Sequence, residues 1–102
     1  MNATVTVKVV FSPVFRAVFH CPECDVVLPK TDTRIRNLLF QLSKASAGKI
    51  DTLVFEKGRD LISTALMVQV NDRVYTGNML NQKTVTLEDR DVVSLLYYVS
   101  GG

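Results

Sequence analysis

The sequence predicts an α+β fold, a mixed sheet with one main helix packed across one face. Polar and apolar residues alternate from Thr4 to Phe11, a single helical apolar period begins at Ile35, and a dense β-prone run fills Val92 to Val99. The chain of 102 residues suits one domain, 1–102, with 100–102 as a flexible tail. A chain this long buries roughly two-thirds of the surface its unfolded form exposes, enough for a core without staples.

In the first strand Val5, Val7, Val9 and Phe11 share one face and Thr4, Thr6 and Lys8 the other. Ser12-Pro13 ends it, because proline lacks a donor and turns its predecessor away from helix. Val14 to His20 then reads as a turn or one helical turn, with Val14, Phe15, Val18 and Phe19 over one end of the core. Asp25 to Pro29 supplies a second strand, antiparallel to the first because sequential strands are usually neighbours.

Ile35, Leu38, Leu39, Leu42 and Ala45 mark one face of the helix. Asp32 or Thr33 is placed to cap its start, and Gly48 to take the left-handed position beyond its end. Leu53 to Phe55 reads as a short strand or irregular core segment before a turn at Lys57-Gly58-Arg59. Leu66 to Val70 is a strand, Asn71-Asp72 a turn, Arg73 to Tyr75 the returning arm and Thr76 to Lys83 a polar loop. Val85 and Leu87 touch the core before the charged turn Glu88-Asp89-Arg90-Asp91. The last strand reads as buried on most of both faces. This order, β-β-α-(β)-β-β-β, is that of a ubiquitin-like β-grasp fold.

Composition excludes several classes of function. Hydrophobic residues at 47% and charged residues at 22% describe a globular chain rather than a disordered one. The net charge of +2 comes from bases scattered singly, which argues against a nucleic-acid partner. Neither a secretory leader nor an apolar run of membrane-spanning length is present, so no membrane partner and a cytoplasmic location are expected.

The final strand runs into Ser100-Gly101-Gly102. Two successive glycines have no Cβ and tolerate many backbone angles, so a carboxylate on such an arm can pass through a channel that any side chain would block. A carboxylate needs a better leaving group before it reacts with nucleophiles. Adenylation by a partner would supply one, and sulfur transfer would then yield a thiocarboxylate. The alternative reading of the glycines is a frayed end without function.

With these residues in view, the chain resembles the ThiS/MoaD-like sulfur-carrier family of molybdopterin and thiamine-thiazole synthesis, above all the small subunit of molybdopterin synthase. The resemblance is carried by Phe11-Ser12 with Val14 to Val18, by Val26-Val27-Leu28-Pro29 leading to Leu38-Leu39, by Met67 to Asn71, and by Leu87 to Val93 followed by Ser100-Gly101-Gly102. Two features depart from the pattern: Arg90 stands where the family has glycine, and Tyr97-Tyr98 replaces a proline-rich approach to the tail. The chain's length is nearer that of the ubiquitin-related sulfur carriers.

The resemblance implies that Gly102 is adenylated and thiocarboxylated while Gly101 lines the partner's entry channel. It implies an E1-like adenylating enzyme that uses ATP, no bound cofactor on the chain itself, and a large catalytic subunit of molybdopterin synthase as acceptor. The chain would then be a carrier subunit without its own active site. Tyr97 and Tyr98 point to opposite faces of their strand, and with Ser100 they are the expected partner-binding residues. Two further readings are a ubiquitin-related modifier that serves transfer-RNA thiolation or protein conjugation, and a non-catalytic β-grasp adaptor.

His20-Cys21-Pro22-Glu23-Cys24 is the other visible constellation. Cys21 and Cys24 could share a zinc ion with His20 as third ligand, but no fourth ligand completes the set, so no metal site is expected. A redox pair should open a helix after a strand, whereas these cysteines lie between prolines in a loop that leads into a strand. The favoured reading is two small, half-buried residues.

Overall fold

A computed structural model describes residues 3–97. The expected tail at 100–102 lies outside that range, as does Tyr98. Strand β1 (Thr4–Phe11) leads through helix α1 (Pro13–Phe19) to β2 (Glu23–Pro29) and helix α2 (Ile35–Ala45). A one-turn helix α3 (Asp51–Val54) follows, then a small hairpin of β3 (Phe55–Glu56) and β4 (Leu61–Ile62) around a 3-10 turn at Lys57–Arg59. Strands β5 (Leu66–Val70) and β6 (Arg73–Thr76), helix α4 (Gly77–Gln82) and strand β7 (Val92–Tyr97) complete the order.

The main sheet has five strands in the order β2-β1-β7-β5-β6. β7 is central, parallel to β1 and antiparallel to β5, while β1–β2 and β5–β6 are antiparallel hairpins. The sheet is therefore mixed, with helices across one face, a ubiquitin-like β-grasp. On the covered side Val7, Val9, Phe11, Leu66, Val68, Val93 and Leu95 are fully buried against Leu38, Leu39 and Leu42 of α2. Each such Leu or Val contributes about 1.5–3 kcal/mol through the water it sheds. Among the described residues, no helix is long and apolar enough to cross a membrane.

Several expectations change at the ends of elements. β2 begins at Glu23 rather than Asp25, which places Cys24 inside a strand. The N-cap of α2 is Arg34, with no side-chain cap bond, rather than Asp32 or Thr33. The Asp32 carboxylate is taken instead by the Arg34 guanidinium, with Nε at 2.7 Å and Nη2 at 2.8 Å, and this pairing holds the carboxyl below its usual range. At the other end of α2, the Gly48 N–H donates to Ser43 O and the Ala47 N–H to Lys44 O. This is a Schellman closure in which Gly48 is left-handed as expected and Ala47, at φ 54°, precedes it in the same conformation. Ala45, counted on the apolar face, is exposed, and Ser46 is buried in the turn.

Thr76 to Lys83 is not a loop but the site of α4. The Thr76 hydroxyl oxygen accepts the Met79 N–H at 3.1 Å and so starts the helix. Gly77 lets the helix approach β4's exit, since a Cβ there would lie 1.8 Å from the Ser63 carbonyl oxygen. The Asn81 side chain then serves as a partner for β4, accepting the Ile62 N–H at 2.8 Å and donating to Ile62 O at 2.9 Å. A six-residue helix carries too little periodicity to show in the sequence, but Thr76 followed by Gly77 held its start signal.

Candidate functional site

The end of β7 that leads to the glycines lies at the C-terminal end of β1, because the two strands are parallel with Phe11 opposite Leu95. Helix α1 closes this end on the covered side. Pro13 fits its first turn, the Ser12 carbonyl accepts the Phe15 and Arg16 N–H groups, and His20 ends it in a left-handed conformation at φ 60°. Arg16 ties the helix to β1 by donating from Nε to Phe11 O at 2.8 Å. Phe11 stacks on Phe19 with centroids 4.5 Å apart, and Phe15 meets the Tyr97 ring edge-on at 6.3 Å. Tyr97 is thus turned to the covered side and half buried. Tyr98, Ser100, Gly101 and Gly102 lie outside the described residues.

The final strand is buried on one face only, a correction to the expectation for both. Val93 and Leu95 are fully buried, whereas Val92 is 39% exposed and Ser94 and Leu96 are partly exposed. Among the described residues, these alternate positions keep access to solvent. Register extends the open face sideways: Leu96 is beside Met67, Ser94 beside Val10 and Gln69, and Val92 beside Lys8. Val27 on β2 and Val74 on β6 add exposed apolar area. The sheet therefore presents an aliphatic surface that runs toward the end where the chain leaves β7.

A polar network fixes the opposite end of β7. The Thr6 N–H donates to Asp89 Oδ1 at 2.8 Å, Arg90 N–H to Thr6 O at 2.7 Å, and Lys8 N–H to Asp91 O at 3.0 Å. The Asp91 carboxylate accepts the Glu88 N–H and the Asn71 side-chain amide, while Asn71 Oδ1 accepts the Val92 N–H at 3.0 Å. The charged turn thereby sets the register of the central strand against both neighbours. A one-residue slip would exchange its two faces. Arg90 sits in this turn at φ 71°, which explains in backbone terms why glycine suits that position.

The cysteines gather at the margin of the covered side. Cys24 lies opposite Val9 in β2, Cys21 lies in the bend before it, and both are half buried against the core with their thiols free. Burial pushes the Cys24 thiol up, and the neighbouring Cys21 and Asp25 add to that shift. An activated redox thiol is shifted the other way. Among the described residues, no three His, Cys, Asp or Glu side chains gather as metal ligands, and His20 serves as the α1 cap.

No protein-family model matches the chain, and no curated protein matches it by sequence. Solved structures do match it in three dimensions. The chain is similar to the HVO 2177 protein of Haloferax volcanii, with a TM-score of 0.77 and 22% identity over 100% of this chain and 91% of that one. It is similar to small archaeal modifier protein 1 of Methanosarcina acetivorans, at 0.75 and 21% over 99% and 100% of the two chains. A third likeness is to a proposed subunit 1 of the molybdopterin converting factor of Pyrococcus furiosus, at 0.69 and 26% over 93% and 99%.

Proposed function

We propose that the chain is a ubiquitin-like modifier and sulfur carrier that acts through the Gly102 carboxyl group. The observation that carries this reading is the placement of β7. A central strand, locked between β1 and β5, leads directly toward Gly101-Gly102 beside an open aliphatic face. Likeness to the small archaeal modifier of Methanosarcina acetivorans supports it. An E1-like partner docks on the open face and takes Gly101 into a narrow channel. The Gly102 carboxylate oxygen attacks the α-phosphorus of ATP, pyrophosphate leaves, and an acyl adenylate forms. A sulfide-level nucleophile that displaces AMP leaves a thiocarboxylate, and a lysine amine on a target leaves an amide. Tyr98 and Ser100 line the approach to the partner, and the chain supplies no acid or base of its own.

A second reading is favoured by the 26% likeness to the Pyrococcus furiosus protein. In it the thiocarboxylate is passed to the large catalytic subunit of molybdopterin synthase. Intact mass spectrometry after incubation with ATP, a sulfur donor and the E1-like enzyme of the same genome tests both readings. The chain is expected to gain the mass difference between sulfur and oxygen at Gly102, and loss of Gly102 should abolish the gain. A verified enzyme that leaves the mass unchanged overturns the proposal. Conjugates to lysines select the modifier role, and a stable complex with a pterin-processing subunit selects the second.

A further inference from the structure

The bend between α1 and β2 carries two free thiols, Cys21 and Cys24, whose sulfur chemistry the proposed function leaves unused. In a straight strand, residues three apart point to opposite faces. Here the chain bends at His20, Cys21 and Pro22, with His20 left-handed at φ 60°. Cys21 is thereby turned back to the side of Cys24, and both pack half-buried against the same margin of the core. The residues between them are already fixed. Pro22 has a ring-locked φ and its carbonyl accepts the Phe11 N–H at 2.9 Å, while Glu23 sits in β2 opposite Val10. Folding has therefore removed most of the chain freedom that closing a small ring between the two sulfurs would otherwise cost.

The two side chains also act on each other, since charge on Cys21 adds to the effect of burial on the Cys24 thiol. A Cys24 held protonated makes the pair a poor oxidoreductase, but the same closeness suits a bridge that forms slowly and persists. We infer that Cys21 and Cys24 are a reversible modification site, which closes to an intramolecular disulfide on meeting the disulfide of a small thiol such as oxidised glutathione. The Cys21 thiolate, in the bend rather than the strand, attacks one sulfur of the small disulfide and expels the first thiolate. The Cys24 thiolate then attacks Cys21 Sγ in the mixed disulfide and expels the second. The protein loses two electrons and two protons, and the small disulfide is reduced to two thiols. The bridge ties the exit of α1 to the start of β2, beside the Phe11–Phe19 stack.

The test equilibrates the full chain with oxidised and reduced glutathione, in native buffer and in urea, quenches with acid, and reads intact mass and alkylatable thiols. The folded chain is expected to lose about 2 Da and both alkylatable thiols, with an oxidation equilibrium constant about tenfold greater than in urea. By linkage, the bridged chain should melt about 5–10 °C above the reduced one. Cys24→Ser should stop at a glutathione adduct on Cys21, and Cys21→Ser should take up glutathione more slowly. Equal or reversed rates in these two variants overturn the order of attack. A folded chain that keeps both thiols, ends in glutathione adducts, links to a second copy, or bridges no more readily than in urea overturns the site itself. Each of these outcomes is independent of what happens at Gly102.

Discussion

The two faces of the same five strands have been built to different specifications. On the covered face, Val5, Val7, Val9 and Phe11 of β1 and Val93 and Leu95 of β7 are buried in the core with the inward residues of the helices. On the open face, the residues between them are threonine, lysine, serine and half-exposed aliphatics. β7 belongs to both, with Val93 and Leu95 turned inward and Val92, Ser94 and Leu96 outward. The contrast separates what the molecule needs in order to exist from what it can offer to a partner, at intervals of one residue.

Adjacent leucines give the sharpest way to break that contrast. Leu95→Ala removes a fully buried side chain and should destabilise the protein by about 3 kcal/mol in urea unfolding, whereas Leu96→Ala should cost under about 1 kcal/mol. Equal losses would mean that the open face is also core. Gly77→Ala extends the comparison to backbone packing beneath the covered face. The added methyl would press on the Ser63 carbonyl, and a loss of about 2 kcal/mol is expected, read as a lower Tm. No change would show that α4 can lift away freely.

Cys24 probes the margin of the covered face and should give the smallest effect. Its thiol is raised by burial, so the folded protein holds that proton more tightly than the unfolded chain. Stability should therefore be retained below the ordinary thiol pKa and decline as pH rises through the folded one. Cys24→Ser should remove that decline. Alkylation should follow suit, with Cys24 slower than an unfolded-state thiol at neutral pH and the difference erased by urea. A Cys24 that reacts fastest when folded would contradict the assignment.

Alternation made β1, β2, β5 and the inner face of β7 legible, because a half-buried strand writes its two faces directly into residue type. The face of α2 was legible for the same reason at another period. What escaped was decided by contacts distant in sequence. Asp32 looked like a cap but pairs with Arg34, and α4 depends on Thr76 and on the gap that Gly77 leaves at Ser63. The outer face of β7 misled because Val92 and Leu96 are as apolar as Val93 and Leu95, and only their burial among the described residues tells them apart. In the candidate site, Tyr97 was legible as part of the last strand, although its inward turn onto Phe15 was not. Arg90 passed for a simple turn residue until its φ was known. Gly101 and Gly102 remain a reading of sequence chemistry.

The two hairpins, β1–β2 and β5–β6, meet within the sheet only through β7, which places Val92 beside Lys8 from near the other end of the chain. During vectorial synthesis both hairpins emerge long before the strand that splices them, and such distant parallel pairing makes for slow closure. The sheet zips shut only when its keystone arrives, so under the proposed function Gly102 would become usable only in a molecule whose sheet has already closed.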